Sequence, residues 1–183
     1  MRANFDNKLS ELNKKLLSMA AMTEQIIAMS IKSLEEQNTK LARETVEFDA
    51  KINEAEREVE RICLNLLLQQ QPVFAEDLRR VSAALKMITD MERIGVQTGD
   101  IAEIIIFLKG QSVSGVAIIE DMARATIKMV TQSVDAFVHK DTELAKSVID
   151  YDDVVDGYFE KMKGVIINMI KETPNRGEFL LDL

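Results

Sequence analysis

The apolar residues at the start of the chain recur on a seven-residue period, and this feature limits the fold more than any other. Phe5, Leu9, Leu12, Leu16, Met19, Thr23, Ile26, Ser30 and Leu34 are spaced 4-3-4-3-4-3-4-4. A second series, Leu41, Thr45, Phe48, Ile52, Ala55, Val59, Ile62 and Leu66, alternates 4 and 3 throughout. A strand repeats every second residue and cannot produce this pattern, whereas one face of a helix does. A helix over about 4–37 is roughly 50 Å long at 1.5 Å per residue. Helices of that length suit an antiparallel bundle. Gly 7 and Pro 2 in 183 residues, with 5% aromatics and no Trp, leave too few turn formers for a sheet protein. The spacing therefore predicts an all-α fold.

Breaks in the periodicity place helices at about 4–37, 40–70, 75–108, 113–139 and 142–172, with a further start near 178. Gln37-Asn38-Thr39 is a polar link, with Thr39 the expected N-cap. Pro72 ends the second helix, Gly110-Gln111-Ser112 the third, and Pro174-Asn175-Arg176-Gly177 the fifth. His139-Lys140-Asp141-Thr142 resembles the first link.

Shifting the chain by 103 residues lays Thr23 on Thr126, Thr39 on Thr142, Leu41 on Leu144, Ala42 on Ala145 and Asp49 on Asp152. Phe48 meets Tyr151, Ile52 meets Val155, and Asn53 meets Asp156. Such self-similarity marks a duplicated three-helix unit. The expected domains are 1–110 and 111–183, the second lacking most of its third helix. Leu180 and Leu183 match Leu78 and Val81, after which the sequence stops. An uncovered apolar stripe including Val148, Val155, Phe159, Met162, Ile166 and Met169 is then expected, with self-association through it.

Charge and composition exclude several functions. Lys+Arg 23 against Asp+Glu 31 gives a net charge of -8, which argues against nucleic acid as the main partner. Cys63 is the one cysteine, so no intrachain disulfide forms, as in a reducing cytoplasm. The opening residues show no apolar signal core. The longest apolar run, near 104–108, is far short of the ~20 residues that span a bilayer. A cytoplasmic protein that reaches a membrane only through partners is expected. Catalytic groupings are scarce: the one histidine, His139, sits at a helix end, and Cys63 lies on an apolar face. One histidine cannot supply the paired Glu-x-x-His sets of a bundle metalloenzyme.

Carboxylates are the remaining candidates. Asp49 and Asn53 are four residues apart, as are Asp152 and Asp156, so each pair projects from one helix face beside the apolar stripe. Oxygen ligands so placed, joined by others from a neighbouring helix, suit a hard or borderline cation. Solvated helix faces carry similar pairs, but here the pair recurs at the same repeat position. In the third helix, Glu92 falls on the seam, where a carboxylate is costly unless paired or ligated. Gly95 and Gly99 each cost about 1 kcal/mol against Ala in a helix, which close helix approach or room for a ligand would offset.

The segment Asp90-Met91-Glu92-Arg93-Ile94-Gly95, followed by Asp100-Ile101-Ala102-Glu103, is similar to the Leu-Glu-Arg-Ile-Gly-Asp…Asn-Ile-Ala-Glu signature of the PhoU family of bacterial phosphate-signalling regulators. The opening pattern from Met1-Arg2 to Met19 and the repeated Asp49–Asn53 and Asp152–Asp156 stretches also resemble that family. Val96 stands where the family has Asp, and the second signature belongs to a sixth helix absent here. The resemblance implies tandem three-helix bundles, often dimeric, with no enzymatic activity. It implies an adaptor between the ATPase of a phosphate ABC transporter and a sensor histidine kinase. It also implies metal ligation, by iron, zinc or another divalent cation, at the matching positions Asp49, Glu92, Asp100, Asp152 and Asp156. The alternatives are a metal-binding helical-bundle protein or enzyme, or a plain structural helical module.

Overall fold

The computed structural model describes residues 2–69, 74–108 and 115–176. Five helices carry nearly all of them: α1 (Arg2–Glu35), α2 (Thr39–Gln69), α3 (Ala75–Leu108), α4 (Val116–His139) and α5 (Thr142–Glu172). Pro174–Arg176 adds one 3-10 turn, and no strand occurs among the described residues. The fold is all-α, as the heptads predict. The breaks expected at Pro72 and at Gly110 to Ser112, and the helix start near 178, lie outside the described residues.

Helix α1 is central, packing against α2, α3 and α4. Every residue of its heptad series from Phe5 to Leu34 is buried. The neighbouring positions Ala20 and Ile27 are buried as well. Glu24 shares their face and accepts a 2.6 Å hydrogen bond from Thr131 of α4, so this second stripe turns toward α4. Two buried hydroxyls of α1 are satisfied by their own helix, whereas the Ser30 hydroxyl of the first stripe is buried without a partner among the described residues. Thr23 Oγ1 donates to the Met19 carbonyl at 3.0 Å, and Ser33 Oγ to that of Ser30 at 2.7 Å.

The duplication is visible bond by bond at the first turn of each half. Gln37 and Lys140 both take left-handed backbone, with φ of 51° and 58°. The Asn38 N–H reaches the Ser33 carbonyl at 2.8 Å, and the Asp141 N–H reaches that of Ala136 at 2.8 Å. Gln37 and Lys140 N–H groups close on Leu34 and Phe137 at 3.2 and 3.3 Å. This paired closure satisfies the carbonyls that a helix leaves open at its end.

The N-cap lies one residue earlier than the expected Thr39. Asn38 Oδ1 accepts from the Leu41 N–H at 3.0 Å. Its repeat-mate Asp141 accepts from Glu143 and Leu144 at 3.1 and 2.9 Å. The left-handed residue leaves the following position extended, and there the short Asn or Asp side chain caps better than Thr.

Helix α4 belongs as much to the first half as to the second. Val130 and Val134 share a core with α1, α2 and α3 residues. Val116 and Ile119 pack on Leu34, Ala42, Ala102, Ile105 and Leu108. Lys140 Nζ meets Glu76 Oε1 at 2.7 Å, tying the end of α4 to the start of α3. The helix starts at Val116, later than the expected 113. Gly115 before it has φ 85°, and a Cβ there would stand 2.8 Å from Met162 Sδ.

Helix α5 packs extensively on α4 alone. The expected uncovered stripe needs correction at two positions: Val148 and Met162 are buried in the α4–α5 contact. Phe159 is indeed 59% exposed, and Ile149 is 72% exposed.

Asn38→Ala and Asp141→Ala are each expected to lower unfolding stability by about 1 kcal/mol. Thr39→Ala and Thr142→Ala cost much less. Urea unfolding of the four variants checks this ordering.

Candidate functional site

The polar chemistry of the fold concentrates on the seam between α2 and α3. Asp49 follows the buried Phe48 on α2 and precedes the buried Ile52, so the heptad carries it to the edge of the core. Its Oδ2 accepts a 2.9 Å hydrogen bond from Asn53 Nδ2, one turn on. Its Oδ1 is buried and has no hydrogen-bond partner among the described residues. Gly95 of α3 lies directly against it: a Cβ there would stand 2.8 Å from that Oδ1 and 3.1 Å from Ile52 Cδ1. The missing side chain is what lets α3 close over Asp49. Gly99 is different, because a Cβ there meets nothing within 4 Å.

Burial raises the Asp49 carboxyl above the ordinary carboxylate range, with the Asn53 hydrogen bond opposing and the Asp100 charge adding to the rise. One heptad further along α2, burial raises Glu56 as well, helped by the charges of Glu92 and Glu60. A third pair joins α1 to α4, where a hydrogen bond to Glu120 raises Glu35, with burial and the Glu120 charge adding. At each of these three contacts a carboxyl group raised above its ordinary range stands near a second carboxylate on the facing helix.

The structure brings Asp49 and Asp100 together but places Glu92 opposite Glu56 instead of beside them. Arg93 does not pair with Glu92; it is exposed and meets Asp90 Oδ1 at 3.5 Å. Asp152 and Asp156 are exposed on α5. Asp152 and Asp90 border a groove of about 430 Å³ between α3, α4 and α5, floored by Met91, Met129 and Val130. Among the described residues, no three His, Cys, Asp or Glu side chains converge where one metal ion could sit. Asn53 presents its NH2 to Asp49, not its oxygen. Two carboxylates fall short of the four ligands of zinc or the six or more oxygens of a hard cation. The residues as placed do not form a closed centre for iron, zinc or another divalent cation. Cys63 is fully buried, with its thiol pushed up to about 11 mainly by that burial. His139 is exposed at the end of α4, its Nδ1 2.9 Å from the Asp135 carbonyl oxygen. Sequence reasoning missed Glu35, Glu56 and Glu120. Only Glu56 carried a signal, its one-heptad spacing from Asp49.

These features define a class of protein: an all-helical scaffold made of a repeated unit, whose polar groups lie along helix seams. The PhoU domain family matches residues 16–105 and 119–183, and the chain belongs to the PhoU family. It is similar to a phosphate-specific transport system accessory protein PhoU homolog of Clostridium acetobutylicum, 31% identical over 96% of this chain and 80% of that one. The homolog of the same description from Aquifex aeolicus is 32% identical over 91% of this chain and 76% of its own length. The crystal structure of PhoU from Pseudomonas aeruginosa superposes with a TM-score of 0.88 at 29% identity, covering 97% of this chain and 86% of that one. The phosphate transport system regulatory protein PhoU from Streptococcus pneumoniae shares the fold, with a TM-score of 0.85 at 24% identity.

Two predictions follow from the seam. Gly95→Ala forces Asp49 away from α3 and lowers stability by about 1 kcal/mol despite the better helix propensity of Ala. Gly99→Ala, facing open space, raises stability by up to about 1 kcal/mol. Chemical denaturation of both reads the difference.

The raised Asp49 carboxyl means that the folded chain holds that proton more tightly than the unfolded chain. Its ionisation therefore costs stability, and falling pH recovers that stability between the raised value and the ordinary carboxylate value. Asp49→Asn keeps an acceptor for Asn53 and removes the charge facing Asp100. It is expected to raise the melting temperature at pH 7 and to flatten the dependence of Tm on acid, as measured by thermal unfolding across pH.

Proposed function

We propose that this chain is a cytoplasmic, non-enzymatic regulator of phosphate uptake and phosphate-starvation signalling. It acts as an adaptor that links the ATPase of a phosphate ABC transporter to a sensor histidine kinase and holds the starvation response off when phosphate is ample. It works as a homodimer and reaches the membrane through these partners. The observation that carries the reading is the match of both halves to the PhoU domain, together with relatives described as accessory proteins of the phosphate-specific transport system. The physical features support it. No helix among the described residues is long and apolar enough to cross a membrane. The Cys63 thiol is buried and protonated at neutral pH, so it offers no nucleophile. An adaptor acts through surfaces, and the reading requires no metal.

The exposed Arg93 is the signature residue best placed to meet a partner, since its ion pair with Asp90 lies on its own helix. Arg93→Ala is expected to change stability by no more than about 0.5 kcal/mol while relieving phosphate repression in cells. A reporter driven by the starvation response, together with co-purification of the transporter ATPase, checks this. Full repression and undiminished co-purification by the variant would remove Arg93 from the partner surface. Loss of the whole chain without any change in the reporter would overturn the adaptor role.

A further inference from the structure

The seam between α2 and α3 carries carboxylates suited to a cation and two residues that interrupt them. The helices run antiparallel. Asp49 lies against Gly95 and near the charge of Asp100, while Glu56, farther along α2, lies near Glu92, earlier on α3. Asp49, Asn53 and Glu56 are spaced 4-3 on α2, and Glu92, Val96 and Asp100 are spaced 4-4 on α3, so each set follows one line along its helix. Midway between the two acidic couplings, Asn53 therefore comes level with Val96. The seam is a ladder of three rungs, with carboxylates on the outer two and none on the middle one.

The middle rung decides what the ladder can bind. Asp49 and Glu56 are seven residues apart, about 10 Å along the helix, whereas oxygens that share one cation each lie about 2.0–2.6 Å from it. The outer rungs thus cannot share an ion, and each offers only two carboxylates. Neighbouring rungs are about 6 Å apart, so carboxylates at 53 and 96 would place four around either gap. That number meets the four ligands of zinc, and bidentate binding extends it to the six or more oxygens of a hard cation. Neither residue present substitutes for them. The Asn53 amide donates to Asp49 at 2.9 Å, so the positive end of its own dipole already faces that carboxylate. Turning the amide would offer one neutral oxygen and break the hydrogen bond. Val96 is a hydrocarbon side chain, 40% exposed, with no donor atom. A neutral residue at this place is not fixed by the repeat, because the mate of Asn53 in the second half is Asp156, four residues after Asp152.

We infer that Asn53 and Val96 make the α2–α3 seam of this chain one that holds no divalent cation, in contrast to the centre that the family resemblance implies, and that carboxylates at these two positions are sufficient to convert it. The adaptor role proposed above requires no metal and stands or falls separately.

Titration calorimetry and thermal unfolding with manganese(II) test this, since that ion favours carboxylate oxygens over imidazole or thiol. The unaltered chain is expected to bind it no tighter than millimolar and to keep its melting temperature. Asn53→Asp combined with Val96→Asp should lower the melting temperature in the absence of the ion, by crowding carboxylates together. The same double variant should bind manganese at least about a hundredfold more tightly than the unaltered chain, and the ion should then restore its melting temperature by mass action. Val96→Asp alone, at an exposed position that tolerates charge, leaves three carboxylates around each gap and should gain about tenfold. Gln97→Asp adds the same charge one residue away, off the seam, and should gain nothing. Asp100→Asn in the double variant should remove most of the gain. Manganese stabilisation of the unaltered chain that disappears in Asp49→Asn or in Glu92→Gln would overturn the metal-free reading of the seam. Single and double variants that retain full helical content by circular dichroism, yet bind no better than the Gln97→Asp chain, would overturn the role given to Asn53 and Val96.

Discussion

Burial of α1 on more than one side is the constraint on which the other helices depend. A single heptad stripe can bury itself against two neighbours, but α1 also buries Ala20 and Ile27 and so recruits α4. Each fully buried Leu, Ile or Met contributes about 1.5–3 kcal/mol relative to exposure, and α1 supplies Leu12, Leu16, Met19 and Ile26 at the centre. Because α4 leans on α1 through Val130 and Val134, the second half of the chain is anchored by the first. Helix α5, which leans mainly on α4, is held at one remove.

The α2–α3 seam sets a charge against close packing. Gly95 allows the helices to touch, and the touch desolvates Asp49 without giving its Oδ1 a partner. Glu56 repeats the arrangement against Glu92, and Glu35 against Glu120 joins the two halves. Asp49, Glu56 and Glu35 are each costlier to ionise here than in water, since each loses hydration and lies near a like charge. Their presence at three helix contacts makes the packing of the bundle responsive to anything that neutralises them.

Much of this architecture is legible in the sequence, because helix periodicity is itself a record of burial. The α1 series from Phe5 to Leu34 is buried throughout, and the shift that aligns Asp49 with Asp152 also aligns the left-handed residues Gln37 and Lys140. The caps fall on Asn38 and Asp141 and not on Thr39 and Thr142, because the left-handed residue that sets the helix start is a backbone feature without a side-chain signal at Gln37 or Lys140. The α1–α4 contact was not legible: Ala20 and Ile27 read as ordinary flanking residues until another helix is known to lie beside them. In the site, Asp49 could be found because its repeat-mate Asp152 marks it. Glu56 has Phe159 as its mate, and a lone glutamate on an acidic helix reads as solvated. That Glu92 faces Glu56 instead of Asp49 depends on the stagger of α2 against α3, which no single-helix pattern encodes.

The unequal support of the helices divides the protomer into layers that open at different free energies. Backbone amides of α1, walled in by three helices, are released to solvent only in global unfolding. Those of α5 lie under one contact surface, and separating α5 from α4 leaves the main core intact. Within a single protomer, hydrogen exchange should therefore run outward in tiers, fastest in α5, slower in α4 and slowest at the middle of α1, as expected where cooperative units differ in buried contact. Among the described residues, support is thus graded along the duplicated chain, from α1 with three helix neighbours to α5 with α4 as its main one.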